Sequence, residues 1–398
     1  MKIGYYPLVS SIMENQNIEP SLQAFLAAIE EHLGEKLQII TPGDVKKGDT
    51  LPVIMIKSGG VEEKFKRIYQ QFPPPYLLLT SCMYNSLPAA LEIKAYLQNR
   101  GEKTEVLHGS ASYIARRLKT IKKALETKKA CRQYRIGVLG EPSDWLIGSK
   151  ADYNAIRKNL GMKIYDIPLE EVIRHIDQVK NEDIPVNRIP ACSFNQDTLN
   201  QSLRIYQGLK NLMVEYKFNA ITLRCFELID FYQSTGCLAL SLLNEDGLMA
   251  GCEGDVPALV SMILLHEITG DPVFLVNPAC IDEEKNEIIF AHCTIPLNMC
   301  ESYKLKSHFE SHLGVAVCGK VKEGPMTIFK LDGKAENYFI SEGEILANLE
   351  SPDMCRTQLK VLLKRPVSEF LEKSIANHQL ICKGQHSALL EQFFSYQA

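Results

Sequence analysis

The segment Leu248-Met249-Ala250-Gly251-Cys252-Glu253-Gly254-Asp255-Val256-Pro257-Ala258-Leu259 reads as the end of a strand, a glycine-flanked turn and the start of a helix. Gly251 and Gly254 permit close backbone approach. Asp255 suits the N-cap and Pro257 the first helical turn, and Gly270 suits the stop. Two acids in an apolar, glycine-rich setting are costly unless exposed, paired or metal-bound. Capping is a sufficient role for Asp255. It does not serve Glu253, which is therefore the leading candidate for chemistry.

Outward from this segment, short apolar runs alternate with helical stretches back to the start of the chain. Ile3–Pro7, Pro52–Ile56, Tyr76–Thr80 and Thr104–Leu107 read as strands. Ser21–Leu33, Val61–Gln71 and Leu87–Arg100 read as helices, the last stopped by Gly101. A second unit starts at Arg135-Ile136-Gly137-Val138-Leu139-Gly140 and runs into Glu141-Pro142-Ser143-Asp144-Trp145, a strand-to-loop switch of the kind where α/β sheets place ligands. No G-x-G-x-x-G is present, so it is not a dinucleotide fingerprint. Asn195–Tyr216 reads as a long helix, and Ala220–Cys225 and Cys237–Leu243 as buried strands. Such alternation predicts parallel sheets covered by helices. Beyond residue 270 short β-like pieces take over, at Pro272–Val276, Glu287–Cys293, Gly314–Cys318, Met326–Leu331 and His378–Lys383, before a final helix at Ser387–Phe394. They predict a small barrel or sandwich. The expected domains are 1–133, 134–270 and 271–398. The basic run Arg116–Arg135 is either a phosphate-binding patch or, as is commoner, the solvated face of a helix joining two domains.

The chain has 398 residues, 45% hydrophobic and 23% charged, with a net charge of −4. That is globular composition, with no basic excess to suggest nucleic acid or an anionic membrane surface as a partner. The first residues read as a strand and not as a leader, and a cytoplasmic location is expected. Twelve cysteines are scattered without a C-x-x-C pair, so reduced thiols are expected and a thiolate zinc site is not.

Other candidates stand at strand ends. Asn277 closes the apolar run Val273–Val276 and is followed by Pro278. His292 lies in Phe290-Ala291-His292-Cys293, and His378 in Asn377-His378-Gln379. An isolated histidine in an apolar strand is more often a hydrogen-bonded core residue than a ligand. Glu227 either ligates or pairs with Arg224. His308 and His312 would share a helix face, but their polar segment reads as surface. No lysine is read at a clearly apolar strand end, which counts against Schiff-base chemistry.

Together, Gly251–Leu259, Phe274–Pro296, Gly314–Leu331 and Asn377–Glu391 resemble the L-fucose isomerase and L-arabinose isomerase superfamily, in particular its shorter fucose isomerase-related members. The resemblance covers roughly residues 75–395. It implies two Rossmann-like (flavodoxin-like) α/β domains followed by a β-rich, barrel-like C-terminal domain. It also implies a homo-oligomer, trimeric or hexameric, in which the loop Ser81–Ser86 is a candidate for completing a neighbour's site. The chemistry implied is aldose–ketose interconversion through an enediol, assisted by Mn²⁺. Carried over by position, the resemblance puts the acid/base and metal-binding carboxylate on Glu253; Asp255, beside it, is the other catalytic candidate among the residues themselves. Further metal ligands fall on His378, His292 and Asn277. Asn277, Arg224, Glu227 and Trp145 are the expected substrate contacts, the substrate being a small sugar or sugar derivative.

One position departs from the pattern. The second metal-binding acid falls on Asn277, which is uncharged and cannot shuttle a proton. Asp255 or Asp282 is a possible substitute. The departure leaves open an epimerase, a transaldolase or lyase, and a sugar-binding protein that has lost catalysis.

Overall fold

The computed structural model describes residues 1–14, 18–45, 49–189 and 194–396. The fold is mixed α/β, with two parallel sheets and a closed antiparallel barrel of six strands. The chain forms two compact units, Met1–Glu126 with Glu391–Ala398, and Thr127–Leu390.

The first unit follows the strand–helix rhythm of its sequence. Its strands are β1 (Lys2–Leu8), β2 (Gln38–Ile39), β3 (Thr50–Ile56), β4 (Tyr76–Thr80) and β5 (Thr104–Leu107), in the order β2-β1-β3-β4-β5, all parallel. Its helices are α1 (Glu19–Leu33), α2 (Pro42–Val45), α3 (Glu62–Ile68), α4 (Ser86–Gln98) and the start of α5 (Ala111–Cys131). β4 is buried throughout, as a central parallel strand covered on both faces must be. The basic run expected to be helical lies largely in α5.

The second unit opens with β6 (Arg135–Leu139), α6 (Tyr153–Leu160), β7 (Lys163–Ile167), α7 (Leu169–Asp177), α8 (Gln196–Tyr216), β8 (Ala220–Leu223), α9 (Leu228–Tyr232), α10 (Cys237–Glu245), β9 (Met249–Cys252) and α11 (Val256–Thr269). Its four strands are parallel in the order β7-β6-β8-β9. Asp255 caps α11, accepting from the Ala258 N–H, and Gly270 ends it in the left-handed conformation at φ 77°. The stretch Cys237–Leu243, expected as a strand, is instead helix α10, buried from Cys237 to Asn244. A helix apolar on every side has no 3.6-residue periodicity to show, so its sequence looks like that of a buried strand.

The rest of the unit is β10 (Phe274–Asp282), β11 (Glu287–His292), β12 (Ser302–Lys306), β13 (Ala316–Lys320), β14 (Gly324–Leu331), β15 (Tyr338–Leu349), β16 (Thr357–Leu363), α12 (Glu369–Glu372) and β17 (Gln379–Lys383), with α13 (Ser387–Ser395) after it. The expected barrel or sandwich is a barrel, ordered β10-β11-β16-β15-β14-β17 and closed by β17 on β10. Closure leaves no free edge. α11 packs on the barrel, where Ser261 Oγ accepts the Leu331 N–H at 2.9 Å. This ties the second turn of α11 to the C-terminal end of β14. Among the described residues, no helix is long and apolar enough to cross a membrane.

Candidate active site

Glu253 follows the last residue of β9 and has φ 62°, a left-handed conformation that costs a residue bearing a Cβ roughly 1–2 kcal/mol. Gly254 follows at φ 72°, and a Cβ there would stand 2.7 Å from Pro142 Cα. The turn is therefore pressed against the loop after β6. Two bonds fasten it there: Ser143 N–H donates to the Glu253 carbonyl at 2.9 Å, and Trp145 Nε1–H donates to Glu253 Oε2 at 2.6 Å. Backbone strain held by surrounding contacts is a mark of functional turns.

The barrel supplies the facing groups. His378, immediately before β17, is wholly buried, and its Nδ1 lies 2.8 Å from Asp255 Oδ2. An ionised carboxylate can only accept, so Nδ1 carries the hydrogen. The other ring nitrogen, Nε2, is 3.6 Å from Glu253 Oε1 and has no hydrogen-bond partner. Behind Asp255, Lys330 of β14 is also wholly buried, with Nζ 3.7 Å from Asp255 Oδ1. A file of alternating charge thus runs Lys330, Asp255, His378, Glu253.

These neighbours set the protonation states. Burial opposes ionisation of Asp255, but the Lys330 ammonium, His378 and the Ala258 N–H outweigh it and hold the carboxyl at about 2. Burial likewise opposes charge on Glu253, and His378, His292 and Trp145 overcome it, again to about 2. For His378, burial favours the neutral ring, yet the two carboxylates raise it to about 9. His292 differs. Burial, with the nearby His378, presses it down to about 3, so it is a neutral imidazole. Its Nδ1 lies 3.1 Å from Thr294 Oγ1.

The site opens on a cavity of about 80 Å³ whose wall includes Glu253, Asn277, His292, His308, Glu310 and several cysteines. Of the residues singled out in sequence, Glu253, Asp255, His378 and His292 come together, and Asn277 lines the cavity, its Oδ1 accepting from Asn377 Nδ2 at 3.3 Å. Trp145, 54% exposed, stands edge-on to Phe226 and reaches the site through its indole N–H. Arg224 pairs with Glu227 and also holds the Trp145 loop, bonding the Pro142 carbonyl at 3.1 Å and Asp144 at 3.2 Å. Arg224 and Glu227 are thus engaged with each other, beside the cavity wall rather than on it. Asp282 is paired with Lys285 at the far, hairpin end of β10, away from Asn277.

Three functional candidates were missed or misplaced in the sequence. The segment holding His308 and His312 is a turn, not a helix, and His308 is buried with 5% exposure on the cavity wall. Glu310 is the carboxylate that the same turn adds to that wall. Lys330 contradicts the reading that no lysine stands at a clearly apolar strand end, since it is fully buried one residue before the end of β14. Apolar neighbours on both sides in Ile328-Phe329-Lys330-Leu331 were the available signal.

A strand–turn–helix carboxylate thus faces barrel-borne histidines in a mixed α/β-and-barrel fold. No family model matches the chain. It is similar to sulfoquinovose isomerase of Priestia aryabhattai, 25% identical over 265 residues that cover 61% of this chain and 57% of that protein. The sulfoquinovose isomerase of Alkalicoccus urumqiensis is 23% identical over 313 residues, 73% of this chain and 68% of that protein. That of Clostridium sp. (strain MSTE9) is 31% identical over 94 residues, 23% of this chain and 21% of that protein. The match to the Priestia protein spans little more than half of that relative's length.

Proposed function

We propose that this chain is a carbohydrate isomerase interconverting an aldose and a ketose through an enediol, with Glu253 as its acid/base. The observation that carries this reading is the placement of Glu253, strained, oriented by Trp145 and exposed to a cavity between sheet and barrel. The names of the relatives support the isomerase class and a sugar substrate.

The residues fit a divalent cation. His378 presents a buried, unpartnered Nε2 while its Nδ1–H is held by Asp255, the carboxylate–imidazole arrangement that orients a metal ligand. His292 is neutral, as a ligand must be, and Glu253 supplies the charge. Glu253, His378 and His292 would hold the ion, with the Asn277 amide oxygen nearby. When bound, such an ion stabilises negative charge on the sugar oxygens as the enediolate develops.

The remaining work falls to the chain. Trp145 fixes one oxygen of Glu253 and leaves the other turned toward His378 and the cavity. A carboxylate near pKa 2 is a weak base. The depression comes chiefly from His378, with His292 and Trp145 adding to it. The proton leaves the carbon beside the carbonyl for Glu253 and returns to the adjacent carbon. Glu310, the other carboxylate on the wall, takes the oxygen-proton role for which Asn277 has no acid. Lys330 is paired with Asp255 behind the site, so a Schiff-base route draws no support from it.

The test is incubation with a panel of aldoses, ketoses and their sulfonated derivatives in D₂O. Deuterium should enter the carbon beside the carbonyl. Glu253→Gln should lower that exchange by about 10²–10⁴-fold, the usual worth of a positioned acid/base. Sugar binding without exchange across the panel would sink the reading in favour of a binding protein.

A further inference from the structure

Five cysteines from separate stretches of the chain, Cys225, Cys237, Cys252, Cys293 and Cys355, line the same cavity as Glu253 and His292. Their sequence spacing gave no hint of this, because the thiols converge only through the packing of sheet against barrel. Cys252 is the one that directly precedes Glu253 in the chain. Among the described residues, ligand atoms of Cys252, Glu253 and His292 all lie within 4.8 Å of one another.

We propose that Cys252 is a thiolate ligand at this site, so that the ion held with Glu253 and His292 is a borderline transition metal of the zinc or cobalt type. The inference rests on the reading that a cation sits at Glu253, and it deepens that reading. Three features of the chain support it. Around a tetrahedral zinc, with Zn–S about 2.3 Å and Zn–N about 2.0 Å, ligand atoms stand about 3.3–3.8 Å apart. The observed separations, within 4.8 Å, exceed that spacing by about 1.5 Å at most. His378 Nε2, buried and unpartnered 3.6 Å from Glu253, stands ready as a further ligand, and zinc-type ions accept five. Cys225 Sγ lies 3.1 Å from Cys252 Sγ, so its S–H can donate to a Cys252 thiolate, as outer-shell donors do around a metal.

The donor set also explains Asn277. With an amide where a second carboxylate is expected, the group Cys252, Glu253 and His292 has one oxygen anion, which suits a hard ion poorly. A thiolate restores the second negative charge through a softer atom. The balance is simple: the divalent ion binds, Cys252–SH becomes a metal–sulfur bond, and one proton leaves to solvent. No redox step is involved.

The test uses Co²⁺ as a spectroscopic probe on the metal-stripped full chain. A near-ultraviolet sulfur-to-cobalt charge-transfer band should grow with one equivalent. Cys252→Ser should lose that band, while Cys355→Ser keeps it. Absence of the band in the unaltered chain, its survival in Cys252→Ser, or its loss only in Cys225→Ser would overturn the assignment. Should Cys252→Ser not fold, X-ray absorption of the zinc-loaded unaltered chain decides. A sulfur shell at about 2.3 Å is expected, and a shell of nitrogen and oxygen alone refutes the proposal. The two readings fail separately. A sulfur band without sugar proton exchange removes the isomerase and leaves the ligand, and exchange without the band does the reverse.

Discussion

In the first unit, β3 and β4 run into loops where Ser58, Ser81 and Ser86 are buried. Ser81 N–H bonds Ser86 Oγ at 3.2 Å, Ser10 N–H bonds Ser58 Oγ at 3.0 Å, and Ser86 Oγ bonds the Ile56 carbonyl. In the second unit, β9 runs into a loop where Glu253 and Asp255 are buried against His378 and Lys330. Both are C-terminal edges of parallel sheets, where crossover loops open a crevice. The first borders the larger cavity, about 820 Å³ against about 80 Å³. Yet its buried groups are mostly neutral hydroxyls satisfied by backbone, while the smaller cavity gathers a carboxylate, imidazoles and thiols. Topology makes the crevice, and side chains in the loops decide whether it carries chemistry. Size alone would choose the wrong one.

The comparison makes the second edge the more fragile. Asp255→Ala removes the acceptor of the His378 imidazolium and the carboxylate that offsets the burial of Lys330, whose charge burial opposes. Leaving a buried charge unpaired costs about 3–5 kcal/mol, and urea unfolding should show a loss of that size. A loss below about 1 kcal/mol would mean that the file of charges is solvated and the contrast false.

The same file predicts a pH signature in metal-free protein. His378 is raised from 6.5 to about 9, so its contribution is fully present below about 6.5 and fades as pH rises through about 9. Asp255 is depressed from 3.8 to about 2, so its contribution is present above about 4 and fades toward pH 2. The alkaline limb is worth about 3–4 kcal/mol at most and the acid limb about 2–3 kcal/mol. Urea midpoints measured across pH should fall at both ends, and His378→Gln should lack the alkaline fall. A flat alkaline limb in the unaltered chain refutes the doubly paired imidazolium.

The smallest effect is expected at the first edge. Ser86→Ala removes one neutral hydrogen bond to a carbonyl and should cost about 1 kcal/mol, with no pH dependence. A loss rivalling that of Asp255→Ala would erase the distinction between the edges.

Much of this was legible in the sequence where the physics is local. The strand–turn–helix around Glu253 could be read because a cap, a first-turn proline and a stop glycine act within a few residues of one another. β4, β5 and α8 followed from apolar runs and periodicity. Cys237–Leu243 was misread because uniform burial erases periodicity. His308 was misread because a polar segment looks exposed until a neighbouring element covers it.

The sequence by itself determined that a strand ends just before Glu253 and that Asp255 starts a helix. Only the tertiary structure decided that Asp255 also meets His378, 123 residues further on, and Lys330 from a different barrel strand. It likewise gathered scattered cysteines around one cavity. The reason is that caps and turns are fixed by short-range sterics and hydrogen bonds. Burial of charge is fixed by which distant surfaces close over it, and a single chain's local pattern carries no record of that closure.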